Sequence, residues 1–228
     1  MEKNCIEKKL KHLLLSMGAD VCGIASVDRF KEAPVGFSPT DIFKDCKSVI
    51  SFGIALPQGV FEANTKLIYG HYNEMTCQMV DRIAFLISRE IEERFGGTAV
   101  PLPCDAPNEY WEPETLTAKG VLSMKHTAVL CGIGQIGKNS MLLNPQFGNR
   151  LTVGAILTNL ELASDELCES ICIPGCRKCE EACPVHAIAE QQVSQKLCRP
   201  NTYGKTARGF DTVLCNRCRE VCPMKFGK

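Results

Sequence analysis

The stretches CIPGCRKCEEACP (Cys172–Pro184) and CNRCREVCP (Cys215–Pro223), with Cys198 between them, decide how this chain reads. The first spaces its cysteines as C-x3-C-x2-C-x3-C-P and the second as C-x2-C-x3-C-P. Together with Cys198 they supply eight thiols, the number that two 4Fe–4S cubanes need. A C-x2-C gap lets neighbouring sulfurs reach neighbouring irons of one cube. The x3 gap before Cys-Pro carries the chain away, so in two-cluster ferredoxins the last cysteine of a run serves the other cluster. On this pattern Cys172, Cys176, Cys179 and Cys222 hold cluster one. Cys183, Cys198, Cys215 and Cys218 hold cluster two. The first gap is one residue longer than in the bacterial run, filled by Ile173, Pro174 and Gly175, and Cys168 is the alternative to Cys172 as ligand.

Zinc sites also use paired C-x2-C motifs, but zinc ribbons do not usually carry the Cys-Pro endings or the x3 gaps. Disulfides call for an oxidising compartment. The opening Met1-Glu2-Lys3-Asn4 is not followed by the apolar stretch of a secretory signal, so a reducing, cytoplasmic setting is expected. No apolar run is long enough to span a bilayer, and no membrane partner is expected. The 228 residues carry a formal net charge of zero, which gives no global field to attract nucleic acid. At 45% hydrophobic residues the chain can build a core. Beyond Cys168, the cysteines outside the two blocks are Cys5, Cys22, Cys46, Cys77, Cys104 and Cys131, scattered singly and read as small buried hydrophobes.

Upstream of the blocks, helix and strand patterns interleave, which predicts an α/β or α+β domain over residues 1–164 and a small cluster domain over 165–228. Ile6, Leu10, Leu13, Leu14 and Met17 recur at helical spacing, with Gly18 as a stop. Val21–Ala25, Ser48–Leu56, Thr98–Leu102 and Leu151–Leu157 read as strands. Met75, Met79, Ile83, Leu86, Ile87, Ile91 and Phe95 mark the core face of a long helix that ends at Gly96-Gly97, with Tyr69–Asn73 just before it. Leu116–Leu130 reads mainly as helix, with a break at Gly120. The prolines between Pro101 and Pro113 mark an irregular segment holding Cys104, Asp105, Tyr110 and Trp111.

Gly132, Gly134 and Gly137 fit G-x-G-x-x-G. A dinucleotide loop should follow a strand and meet an acid about twenty residues on. Here Met124–Cys131 reads as helix, and Glu161 follows a strand already assigned. Three readings stay open: a nicotinamide loop despite that context, a glycine turn for close backbone packing, or a loop approaching another cofactor, with Lys138 and Asn139 as donors. Tyr69 and His71 are candidate pocket residues and Asp105 a candidate proton donor; a helix cap and an Asx turn are their plainer readings. The expected cofactor pocket joins the Gly132–Asn139 loop to the Tyr69–Asn73 and Cys104–Trp111 segments, under a rim at Arg199–Leu214.

The string GIGQIGKNSMLLNPQFGNRLTVGAILTNLEL (Gly132–Leu162), lying just before the cysteine blocks, resembles the signature of the epoxyqueuosine reductase family. The Ala33–Thr40 loop and the Tyr69–Asn73 segment are similar too. The resemblance implies a nitroreductase-like α/β domain that holds a corrinoid (cobalamin), followed by a bacterial-ferredoxin-like domain whose two clusters deliver electrons to cobalt. Its cluster partition is the one given above. Cys104-Asp105-Ala106-Pro107 resembles the family's Asp-Pro element, but the Glu-Arg pair that follows it there is absent. The family's helical repeats that hold tRNA also have no counterpart before Lys228, so tRNA is not expected as a partner. The implied activity is an iron–sulfur reductase that passes single electrons to a corrinoid or a bound substrate. Its implied partners are a low-potential electron-donor protein and a small-molecule substrate. A flavin-dependent reductase and a non-catalytic electron carrier are the alternatives.

Anaerobically prepared protein is expected to contain about eight irons and about eight acid-labile sulfides per chain, measured by metal and sulfide assay. Near-stoichiometric zinc without sulfide contradicts the cluster reading.

Overall fold

The computed structural model describes residues 3–190 and 192–228, with side chains from Ile6 onward. Cys5, read as a buried hydrophobe, lies outside the described side chains. The fold is mixed helix and sheet around a four-stranded antiparallel sheet. Its strand order is Val21–Ser26, Ser48–Ala55, Leu151–Thr158, Ala99–Leu102. The two middle strands are buried on both faces, which is why they read as continuous apolar runs rather than alternating ones. Ile50 pairs with Ile156 and Val49 with Leu157, so the register puts alternate residues on opposite faces.

One face packs Ile24, Ile50, Phe52 and Ile156 against Leu10 and Leu14 of the helix Lys3–Ser16 and against the long helix Lys66–Phe95. Ile87 and Ile91 of that helix are fully buried, and such side chains contribute about 1.5–3 kcal/mol each. The other face packs Val49, Ala155 and Leu157 against Phe30, Leu122 and Cys131. The long helix stops at Gly96, whose left-handed φ of 68° lets the chain turn out of the helix. Among the described residues no helix is long and apolar enough to cross a membrane.

Three expectations need correction. Tyr69–Asn73 lies inside the long helix, which begins at Lys66 behind its Thr65 cap. Met75 and Met79 are exposed, because the buried stripe of that helix runs through Thr76, Val80, Ile83, Ile87 and Ile91. The segment from Leu116 is not helical throughout. Thr117–Lys119 pairs with Tyr110–Glu112 as a hairpin, and helix covers only Met124–Leu130.

Gly23, in the first strand, lets the Cys131 turn lie directly on the sheet. A Cβ there would sit 2.0 Å from the Cys131 carbonyl oxygen. Gly23→Ala is therefore expected to destabilise the fold by about 1–3 kcal/mol, as overpacking does. A lower denaturant midpoint is the expected reading, and an unchanged midpoint contradicts the close packing.

Candidate functional site: the two cysteine blocks and the cleft beside them

Each block folds around a one-turn helix, Lys178–Glu181 in the first and Arg217–Glu220 in the second, and the two turns pack on each other. A small open cavity is lined by Cys172, Cys176 and Cys179 of the first block and by Cys222 of the second. Burial pushes the Cys222 thiol upward against a backbone hydrogen bond from Met224, and Cys172 and Cys176 add to the rise. Cys168 does not line this cavity. Its Sγ donates to the Glu169 carbonyl at 3.4 Å, and its own carbonyl accepts from Gln135 Nε2 at 2.8 Å.

The remaining cysteines gather beside it. Cys183 is buried with Ala187 and Ile188 in a small cluster against which Cys179, Cys198 and Cys218 pack. Its sulfur accepts the Ala187 N–H at 3.2 Å. Burial pushes the Cys218 thiol up to about 11, with Cys198, Cys215 and Cys179 adding and Arg219 opposing. Arg219 is buried, and its Nε has no hydrogen-bond partner; neither does either polar atom of the buried Asn216 side chain. Unpaired donors next to Cys215 and Cys218 fit an anionic thiolate-bound cluster. Among the described residues, no group of three or more His, Cys, Asp or Glu side chains is placed to hold a metal ion.

The glycine loop serves the blocks. A Cβ on Gly132 would meet the Glu166 carbonyl oxygen at 2.1 Å, and one on Gly134 the Leu143 carbonyl oxygen at 2.4 Å. At Gly137 the neighbour is the Leu143 side chain at 2.8 Å. The expectation that these glycines approach a ligand is corrected: the protein's own atoms fill that space. Lys138 Nζ donates to the Cys176 carbonyl at 2.7 Å, and Asn139 Nδ2 to the Cys218 carbonyl at 3.0 Å. One loop thus grips both blocks.

Tyr69, in the long helix, is buried, and its hydroxyl accepts from Arg219 Nη1 at 2.5 Å. Lys66 of the same helix pairs with Glu220. Gly70 passes so close to the strand Asp211–Val213 that a Cβ would lie 2.7 Å from Thr212 Oγ1. Trp111 and Tyr203 both stack near the Arg199 guanidinium, at 5.2 and 5.5 Å. The rim at 199–214 thus meets the Tyr69 segment at Thr212 and the Trp111 segment at Arg199. His71 is exposed, edge-on to Tyr72 at 5.1 Å.

Asp105 is exposed and lies within electrostatic reach of Lys125 and Tyr203. Tyr203 is about half exposed, and Lys125 Nζ donates to the Ser140 carbonyl at 2.7 Å. Burial raises the Tyr203 phenol, with Asp105 adding. Burial lowers Lys125, with Arg219 adding. Sequence reading missed Lys125 and Arg219 as site residues: both sit in stretches rich in ordinary charges, and only folding puts them together. Arg219, set between Cys218 and Cys222, carried the one available signal.

No family model matches the chain. The chain is 30% identical over 127 residues to the epoxyqueuosine reductase of Bacillus cereus, a match covering 51% of this chain and 33% of that protein. A crystal structure of epoxyqueuosine reductase with an epoxyqueuosine-modified tRNA-Tyr stem loop superposes with a TM-score of 0.70 at 20% identity. It covers 99% of this chain and 66% of that one. A reductive dehalogenase, whose structure suggests a mechanism for B12-dependent dehalogenation, superposes at 0.58 and 18% identity over 95% of this chain and 29% of that one. The fold is thus that of epoxyqueuosine reductases and reductive dehalogenases. In sequence the chain is epoxyqueuosine-reductase-like, and it spans a third of the Bacillus cereus relative. The expectation that tRNA is not a partner is overturned: a protein whose fold contains nearly all of this chain is solved with a tRNA stem loop. The position of Lys228 as last residue carries no weight against that.

Proposed function

We propose that the chain is an iron–sulfur oxidoreductase of the epoxyqueuosine-reductase kind. In this reading residues 1–164 form a nitroreductase-like part and residues 165–228 a ferredoxin-like part with two 4Fe–4S clusters. The observation that carries it is the cavity lined jointly by Cys172, Cys176, Cys179 and Cys222. Sulfurs from both blocks around one space are what the crossed ligand pattern of two-cluster ferredoxins requires. Cluster two falls to Cys183, Cys198, Cys215 and Cys218, with Arg219 offsetting negative charge beside it.

The group of side chains at Asp105, Lys125 and Tyr203 is tied to the cysteine blocks by the electrostatic reach of Lys125 to Arg219. Its mixture of carboxylate, ammonium and phenol suits the amide-rich edge of a corrinoid, which when bound would supply a reducible cobalt. Among these side chains, Asp105 and Tyr203 are the groups able to hold a proton near an acceptor, and Lys125 and Arg219 favour negative charge there. The name of the relatives makes an epoxide-bearing tRNA nucleoside the first acceptor to test.

The test is paramagnetic resonance of reduced, iron-loaded variants. Cys222→Ala and Cys179→Ala are expected to remove the same signal, and Cys183→Ala and Cys218→Ala the other. If Cys222→Ala and Cys218→Ala remove one signal together while Cys179→Ala removes the other, the crossed pattern is wrong. Titrating the wild-type preparation with cobalamin is expected to give saturable binding. A folded, iron-loaded protein that binds flavin or nothing instead loses the corrinoid part of the proposal.

A further inference from the structure

The short strands Gln135–Ile136 and Leu142–Leu143 pair antiparallel and leave Lys138 in the turn between them. The protein's own bonds hold that turn. The Gly137 N–H donates to the Met141 carbonyl and the Ser140 N–H to the Gly137 carbonyl, both at 2.9 Å. The Ser140 carbonyl in turn accepts Lys125 Nζ at 2.7 Å. From this frame the Lys138 side chain reaches the first cysteine block, where Nζ donates to the Cys176 carbonyl at 2.7 Å. Lys138 also lines the cavity shared by Cys172, Cys176, Cys179 and Cys222. It is half-buried, and among the described residues no carboxylate pairs with its ammonium. Lys178 lines the same cavity but is exposed, so water and salt screen its charge.

We propose that Lys138 is a tuning residue, whose ammonium at the wall of the four-cysteine cavity raises the reduction potential of cluster one. The proposal rests on the cluster reading and adds to it a residue that is not a ligand. Thiolates make a bound cube anionic, and reduction adds one more negative charge. A fixed cation beside it favours the more negative form, so the potential rises. The hydrogen bond to a ligand's own carbonyl keeps the ammonium from swinging into water, and its partial burial weakens screening.

The second block is treated differently by the same loop. Asn139, next in the chain, makes the matching contact, Nδ2 to the Cys218 carbonyl at 3.0 Å, with a neutral amide. The loop therefore delivers a charge to the first block alone, and a change at Lys138 acts on cluster one while leaving cluster two where it was. The step concerned is a one-electron reduction. A low-potential donor loses one electron and cluster one gains it; no bond to Lys138 forms or breaks.

The test is a redox titration of the full, iron-loaded chain under anaerobic conditions with dithionite as reductant, followed by paramagnetic resonance. Cluster one is identified as the signal that Cys179→Ala removes. Lys138→Gln keeps a donor but no charge, Lys138→Met keeps neither, and Lys138→Arg keeps both. Gln and Met are each expected to shift the cluster-one equilibrium at least about tenfold toward the oxidised form, a fall of about 59 mV for one electron. Arg is expected to hold it near the wild-type value, and cluster two to stay unmoved in all three. An unmoved cluster-one midpoint in Gln and Met overturns the proposal. So does an equal shift of both clusters, or an Arg variant that behaves like Met. If Lys138→Met loses its iron, Lys138→Gln decides; loss of cluster one from both makes Lys138 a structural support and also overturns the tuning role. Iron and sulfide are measured on every sample, so their absence from wild type marks a failure of the cluster reading itself.

Discussion

Cys222 and Cys179 line one cavity although a whole second block of sequence separates them, and that single closure shapes the last part of the chain. To bring Cys222 back, the second helical turn must lie on the first. The tail then runs on into the body of the fold. Asn149 donates its N–H to the Lys225 carbonyl at 3.2 Å, and the Lys228 N–H reaches the Pro145 carbonyl at 2.8 Å. Phe226 packs edge-on to Phe61 at 6.3 Å. Gly148, with φ of 60°, lets the backbone at Lys225 pass where a Cβ would collide at 2.2 Å. The cysteine blocks are thus seated on the sheet domain from both sides, by the glycine loop before them and by the tail after them.

Electrostatics runs through the same contact. Arg219, next to Cys218 in the chain, is buried, and its hydrogen bond to a side chain goes to the Tyr69 hydroxyl rather than to a carboxylate. A buried guanidinium without a carboxylate partner is costly unless something anionic lies near it. In the proposed function that anion is the thiolate-bound cluster, so one residue both closes the interface to the long helix and tunes the centre beside it. Lys66 and Glu220 repeat the link at the interface edge.

The sheet was legible because its two middle strands are buried on both sides and carry unbroken apolar runs. SVISFGIA and LTVGAILT read as strands with little ambiguity. The end of the long helix was legible at Gly96, but its start was not. Tyr69–Asn73 looks like a polar entrance, and only the packing of Tyr69 against Arg219 and of Gly70 against Thr212 shows that it is already helix. Met75 and Met79 misled because apolar character alone does not say which side of a helix meets the sheet. The hairpin at Tyr110–Lys119 was missed because its short strands are mostly exposed and lack the alternation a half-buried strand shows. The glycines of the Gly132 loop announced close approach but not its object, which is the protein's own backbone. Residues that converge from distant segments, such as Lys125 and Arg219, left no local pattern to read.

The central claim is that ligands cross between the blocks, and the most direct measurement is iron-edge anomalous diffraction from anaerobically grown crystals. The account predicts two iron clusters, one centred among the sulfurs of Cys172, Cys176, Cys179 and Cys222, and the other among Cys183, Cys198, Cys215 and Cys218. A cluster that binds Cys222 together with Cys215 and Cys218, or that takes Cys168 in place of Cys172, would contradict it.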